Sequence, residues 1–458
     1  MIAFGLALTL AAAPVAEVTV TPDLKKSELA IELRTRDWTG DCLCLDKPVA
    51  AAITGLTAHP DREDCFLKPA KEPLKYTVSL SRLRRFRDDP DFAAELGPAW
   101  LFHDSTFLLR LDGADAEFKV KFVLPQGIST AAPWPQEADG TYTVSVAQFD
   151  VGSYVALGKL RTLGTVTLEP GHFPVRITLV DEAKKATDAQ LISWVTKALE
   201  THATFFNGSP TLGKLPIHVV LAGVSSSDAG VFGSVLRRGE PSVMLLFGKN
   251  ATGGFDSDWV SVHELFHIGN PPTRGRFPWL TEGFTTYYTE ILRARSGTKS
   301  ENAAWATLAE SFRDYCAPNG RSLSELSATL GQHWEYQRVY WGGACLAFRL
   351  DVAIRQKSKG TRSLDDVMRE LRVGEKLDEE EMIAALDRAA GSKVAASLPN
   401  GVAPGGLASG HLNEKKRLDI EPLLKDLGIG AVSGDSVKLS DDAPLAKMRK
   451  AMTLRASK

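Results

Sequence analysis

His263 and His267 stand four residues apart, so on a helix both imidazoles leave one face a turn apart. That spacing offers a tetrahedral zinc two nitrogen ligands, and Glu264 sits between them as the general base of H-E-x-x-H. In a chain of 458 residues with 9 histidines the pattern arises by chance roughly once in a hundred such chains, so it carries weight. Gly269-Asn270-Pro271-Pro272 predicts a helix end, with Gly or Asn in a left-handed cap and proline blocking continuation. Pro278-Trp279 opens a second helical pattern, since proline suits a first turn. Glu282 lies near its start. If the two helices fold back as a hairpin, the Glu282 carboxylate joins the two imidazoles. Two histidines and a glutamate with an open fourth position are the ligand set of a catalytic zinc, whereas structural sites are usually closed by cysteines. One zinc ion held by His263, His267 and Glu282 is therefore expected.

Trp279 to Tyr288 reads W-L-T-E-G-F-T-T-Y-Y and resembles the W-x-x-E-G-F-T-x-Y-Y stretch of the glycyl aminopeptidase family of gluzincin metallopeptidases. Tyr340-Trp341-Gly342-Gly343-Ala344, Leu350-Asp351 and Ser363-Leu364-Asp365-Asp366-Val367-Met368 are similar to that family's Y-x-K-G-A, L-D and S-L-D-D-V-M segments, in the same order. The resemblance covers about residues 180 to 430. It implies an α+β multidomain fold: an N-terminal β domain, a thermolysin-like catalytic domain and a C-terminal helical domain. It also implies that Tyr340, three residues before Gly343, donates to the oxyanion. Gly342 stands where the family has lysine, and Tyr336 is a competing tyrosine. Family members often carry a C-terminal PDZ domain; too few residues remain for one, and none is expected. The G-x-M-E-N motif by which α-aminopeptidases of this class hold the substrate amine is not found, so aminopeptidase and endopeptidase both stay open.

The elements that must position these groups follow from length and pattern. The length predicts two or three domains. With 44% hydrophobic and 24% charged residues the composition is that of an ordinary globular protein. A net charge of -2 gives no electrostatic footprint for nucleic acid or an anionic membrane. Residues 1–16 (MIAFGLALTLAAAPVA) are an apolar run ending in small residues, similar to a secretory leader although without a basic start, and too short to span a membrane. Export to the periplasm or the medium is expected. Residues 17–175 read as the β domain, from alternating stretches at 17–21, 76–80, 118–122 and 142–146 broken by turn residues. Residues 176–300 read as the catalytic domain and 301–458 as the helical one. In an exported chain, one disulfide among Cys42, Cys44 and Cys65 is expected, and Cys316 with Cys345 is a second candidate.

Within the catalytic stretch, strands are expected at 175–180, 217–221 and 242–247 and a helix from Asp188 to Phe206. His218 alternates with apolar neighbours and reads as a strand histidine. Gly230 to Glu240 reads as a glycine-punctuated edge hairpin able to add a peptide as a strand. Helices are expected at 301–315, 322–330, 340–354, 364–371 and 379–389, a loop over 391–415, and a short last helix after Asp441-Asp442-Ala443-Pro444. Glu290 is a candidate hydrogen-bond partner for a metal histidine, and Arg274 and Arg276 are candidates for a peptide carboxylate. The reading is a zinc metallopeptidase acting on peptide or protein substrates. A hydrolase of a non-peptide substrate on the same fold and a non-catalytic zinc-containing envelope protein are the alternatives, and the Glu264 carboxylate, which only hydrolysis needs, speaks against the last.

Overall fold

The computed structural model describes residues 15–45, 49–63, 65–69, 71–86, 93–112, 116–132, 134–144, 154–169, 171–180, 184–210, 217–236, 242–316, 320–333, 335–391, 406–416 and 418–454. The chain divides into two units, each assembled from separated stretches. The first takes residues 1–165, 175–187 and 215–252; the second takes 166–174, 188–214 and 253–458.

The first unit is built on strands. Val15–Asp23 pairs antiparallel with Glu28–Arg36 and parallel with Glu117–Phe122 inside a six-stranded sheet. Alternation sets its two faces: Ala16, Val18 and Val20 are buried, while Glu17 and Thr19 between them are only partly covered. The strands expected at 17–21, 76–80 and 118–122 are present, and Tyr142–Val144 is a strand, with 145 and 146 outside the described residues. So are residues 1–14 of the expected leader; Val15 and Ala16 belong to the first strand. Helix α1 is Leu80–Phe86. Cys44 is bonded to Cys65, and Cys42 beside them remains a buried thiol.

A five-stranded sheet runs in the spatial order Arg161–Leu168, Phe173–Leu179, Ile217–Val224, Ser242–Gly248, Phe232–Leu236. Phe173–Leu179, Ile217–Val224 and Ser242–Gly248 are mutually parallel, and Phe232–Leu236 closes the sheet as an antiparallel edge. Val220, Ala222, Met244 and Leu246 of this sheet share a core with Ala99, Leu101, Ala131 and Ala156 of a four-stranded neighbour. His218 is a strand residue, with Nε2 3.0 Å from the Thr178 hydroxyl, and burial pushes its pKa down to about 4. Glu240 lies outside the described residues.

The second unit is helical: α2 Asp188–Phe206, α3 Val260–Phe266, α4 Pro278–Ser296, α5 Glu301–Tyr315, α6 Leu323–Ala328, α7 Leu330–His333, α8 Tyr336–Lys357, α9 Leu364–Val373, α10 Glu379–Ala390, α11 Leu407–Asn413, α12 Glu421–Asp426 and α13 Ala446–Thr453. A ribbon of Ile429–Ser433 and Ser436–Leu439 lies between the last two. Reciprocal caps start three of these helices, Ser322 with Glu325, Ser363 with Asp366 and Asp378 with Glu381, each satisfying two otherwise orphaned backbone donors. The expected loop over 391–415 needs correction, because Leu407–Asn413 is a helix. The buried Asp387 carboxylate accepts from the N–H groups of Ala408 and Ser409, which starts α11 without a signal in its own sequence. Residues 392–405 lie outside the described residues. Cys316 is bonded to Cys345. Among the described residues no helix is long and apolar enough to cross a membrane. The architecture is mixed, with a β-rich N-terminal region and a helical C-terminal one.

Helices α4 and α8 cross at two glycines. A Cβ on Gly283 would lie 2.4 Å from the Gly343 Cα, and one on Gly343 would lie 2.2 Å from the Trp279 carbonyl oxygen. Only a residue without a Cβ lets the two backbones approach this closely. The crossing is then locked by buried polar pairs. Tyr287 donates to Asp351 at 2.9 Å and Tyr288 to Asp365 at 3.1 Å. Arg355 and Arg295 neutralise the two carboxylates in turn. The tyrosine pair after Glu282 and the distant L-D and S-L-D-D segments are thus one packing device, with each buried hydroxyl and charge satisfied.

Candidate metal centre

Helix α3 is short and held at both ends. The Asp258 carboxylate accepts from the Ser261 N–H at 2.8 Å and from the Trp194 indole N–H at 2.9 Å, which caps α3 and ties it to α2. The helix passes into a 3₁₀ turn, His267–Gly269. Asn270 ends it in an extended conformation (φ −62°, ψ 149°), so the expected left-handed cap is not formed; the residue before a proline is driven out of helical geometry, and that suffices. Gly269 serves close approach instead, since a Cβ there would fall 2.1 Å from the Phe206 ring. Helix α4 opens at Pro278 as expected, with proline in its first turn.

The hairpin brings His263, His267 and Glu282 together. One donor atom from each lies within 4.8 Å of the others. Glu282 Oε2 is 3.4 Å from His263 Nε2 and 3.2 Å from His267 Nε2, and the imidazoles meet edge to face at 85°. A direct imidazolium–carboxylate hydrogen bond closes to about 2.7–2.9 Å. Ligands about 2.0–2.1 Å from one tetrahedral zinc stand about 3.3–3.4 Å apart, and the carboxylate lies close to that spacing from each nitrogen. Both histidines are buried, at 4% and 5% exposure, while the Glu282 side chain keeps 21%. Burial alone pushes the Glu282 carboxyl up, but the facing imidazoles more than offset it and hold the group well below the ordinary carboxylate range. Two imidazole nitrogens and a carboxylate oxygen, converging and partly open to solvent, fit a divalent zinc.

Glu264 is half-buried on α3, between the two histidines in sequence. The Tyr340 ring lies parallel to His263, tilted by 11° at 6.1 Å, and Tyr336 meets it edge-on from a more exposed position. Burial raises the Tyr340 pKa, reinforced by the negative charges of Glu282 and Glu264, so its hydroxyl keeps its proton. Of the two tyrosines, Tyr340 stands beside His263. Glu290 does not reach a metal histidine: it is buried in ion pairs with Arg293 and Lys299. The outer nitrogens of the histidines meet Thr289, Thr285 and Asn270 instead. Arg274 pairs at the surface with Glu381, and Arg276 is exposed. Trp259 also stands at the site, its indole 53% exposed and edge-on to His263 at 5.7 Å. No spacing rule marks it.

A family model described as M61 glycyl aminopeptidase matches residues 270–342, a segment that holds Glu282 and Tyr340 and begins just after His267. No curated protein matches the chain. Solved structures with a similar fold include an aminopeptidase N family protein from Idiomarina loihiensis, 17% identical over 93% of this chain and 82% of that one, with a TM-score of 0.69. An M1 zinc metallopeptidase from Deinococcus radiodurans is 15% identical over 89% and 94% of the two chains, with a TM-score of 0.52. Legionella pneumophila aminopeptidase A in complex with aspartic acid is 14% identical over 88% of this chain and 49% of its own, with a TM-score of 0.53. The chain resembles the glycyl aminopeptidases in the segment that carries Glu282, and it is a zinc metallopeptidase.

Proposed function

We propose that this zinc metallopeptidase is an aminopeptidase, exported from the cytoplasm, in which His263, His267 and Glu282 hold one zinc, Glu264 moves the proton and Tyr340 steadies the oxyanion. The observation that carries the reading is the convergence of one carboxylate oxygen on two imidazole nitrogens at 3.2 and 3.4 Å, a spacing suited to donors around a shared ion. A zinc ion held there supplies Lewis acidity, polarising the peptide carbonyl and easing loss of a proton from water. Glu264, one residue from a ligand, takes that proton and returns it to the leaving amine, acting first as base and then as acid. Tyr340, protonated because burial and two carboxylates oppose its ionisation, donates its O–H to the oxygen on which charge develops. Buried walls on the protein side of the ligands keep these interactions in a low-dielectric setting.

The aminopeptidase assignment is supported by the matched family and by neighbours described as an aminopeptidase N family protein and an aminopeptidase A, while a variant of the Deinococcus M1 zinc metallopeptidase is bound to Tyr-Ser-Ala. A thermolysin-like catalytic layout is part of the same reading. Export is in keeping with the two disulfides. The test pairs a variant with a substrate comparison. Glu264→Gln is expected to lower kcat/KM on short peptides by about 10²–10⁴-fold with the zinc content unchanged. N-acetylated peptides are expected to be poor substrates for the parent. A Gln variant as fast as the parent sinks the proton-transfer role, and indifference to acetylation turns the assignment to endopeptidase.

A further inference from the structure

Thr285 and Thr289 lie three and seven residues after Glu282 on α4, so the three side chains share one helix face. Both threonines are buried, at 0% and 3% exposure. Each hydroxyl spends its single hydrogen on the carbonyl one turn back: Thr285 on Thr281 at 2.5 Å, and Thr289 on Thr285 at 2.7 Å. Toward any other neighbour the oxygen can then only accept. The neighbours are the metal histidines. Thr289 Oγ1 is 3.2 Å from His263 Nδ1, and Thr285 Oγ1 is 3.4 Å from His267 Nδ1. Each ring must therefore carry its hydrogen on Nδ1. The lone pair is left on Nε2, the atom that faces Glu282 in both rings.

Asn270 closes the arrangement around His267. Its amide nitrogen is 3.2 Å from Nδ1, and its two hydrogens have acceptors in the Thr281 carbonyl and the Thr285 hydroxyl, each at 3.2 Å. Turning the amide over would present its oxygen to Nδ1 and lead to the same tautomer. Two hydroxyls thus stand where a carboxylate or carbonyl commonly sits behind a zinc histidine.

We propose that Thr285 and Thr289 are the positioning residues of the metal centre, each hydroxyl fixing one histidine in the tautomer and orientation that aims Nε2 at the ion. The inference rests on the zinc peptidase reading above, and it adds that one stripe of α4 supplies both the anionic ligand and the two tautomer locks. It also gives a physical reason for two of the four threonines of T-E-G-F-T-T-Y-Y-T beyond filling space. Substitution by valine keeps the shape and removes the acceptor, whereas serine keeps the acceptor and sheds a methyl.

The zinc dissociation constant of the full chain, measured by competition with a chromophoric chelator, separates these roles, with the absorption spectrum of the cobalt-substituted protein as second readout. Thr289→Val is expected to weaken zinc binding by about 10- to 100-fold and to change the cobalt bands, while Thr289→Ser stays within about threefold of the parent. Thr285→Val is expected to act in the same direction through His267. Circular dichroism of the metal-free proteins identifies a valine variant that has simply unfolded, and then the serine variant and the second site carry the test. A folded Thr289→Val that binds zinc as tightly as the parent with an unchanged cobalt spectrum overturns the proposal. So does a serine variant as weak as the valine one. Those outcomes leave the peptidase reading intact, whereas a parent chain that binds no zinc brings down both.

Discussion

The Tyr340 ring lies parallel to His263 with centroids 6.1 Å apart, half-buried, and its hydroxyl is hydrogen-bonded to Glu282 and feels the charges of Glu282 and Glu264. A phenol kept protonated beside the metal ligands is suited to stabilise charge that appears only in the transition state, so its loss should appear in kcat. Tyr340→Phe is expected to lower kcat by about 10²–10³-fold with KM and zinc content little changed, as read from steady-state kinetics and metal analysis. Unchanged kcat would return the oxyanion role to Tyr336 or to the metal alone. At this scale much of the site was legible in the sequence. His263, Glu264 and His267 are neighbours on one turn, and Glu282 needed only a hairpin. Tyr340 came from resemblance, because no spacing rule links it to residues on another helix. Thr285 stood in plain view in a motif already singled out, and Thr289 lies one residue beyond its end. Their use was hidden, because it depends on where each hydroxyl sends its one hydrogen. Glu290 was misread for the converse reason: Arg293 lies one turn further along the same helix and, with Lys299, captures the carboxylate.

At the scale of elements, the site depends on how closely α4 and α8 approach. Gly283 follows the metal carboxylate, and Gly343 follows Tyr340 by three residues, so the contact between them fixes the distance from Tyr340 to the ligands. Alanine at 343 would gain about 1 kcal/mol in helix propensity. Against that, its Cβ would meet the Trp279 carbonyl oxygen at 2.2 Å, a backbone atom with no rotamer to retreat into, so the helices must separate. Overpacking of this kind costs about 1–3 kcal/mol and wins. Gly343→Ala is expected to melt below the parent and to lose activity beyond its loss of stability, as thermal unfolding and kinetics on the folded protein would report. A variant that melts at or above the parent would show that the crossing is looser than described. Helix α2 and helix α5 could be read from periodicity and caps to their ends. Helix α11 could not, because its start is capped by Asp387 from a different helix.

For the whole molecule, the order of residues along the chain and their grouping in space diverge. The five-stranded sheet draws on residues that flank α2 on both sides, and α2 itself belongs to the helical unit. Alternation could reveal each strand, since period two is a local property. It could not show which stretches gather into one unit, because that is settled by packing between segments far apart in sequence. Both disulfides were among the pairings the five cysteines allow, but only the fold brings Cys44 to Cys65 and Cys316 to Cys345. The claim on which the account stands is that a helical hairpin within the second unit gathers three ligands for a single ion. Diffraction from zinc-loaded crystals on either side of the zinc absorption edge tests it most directly. The account predicts one anomalous peak per chain, about 2.0–2.2 Å from Nε2 of His263, Nε2 of His267 and a carboxylate oxygen of Glu282. No peak among those atoms, or zinc held by other residues, would contradict it.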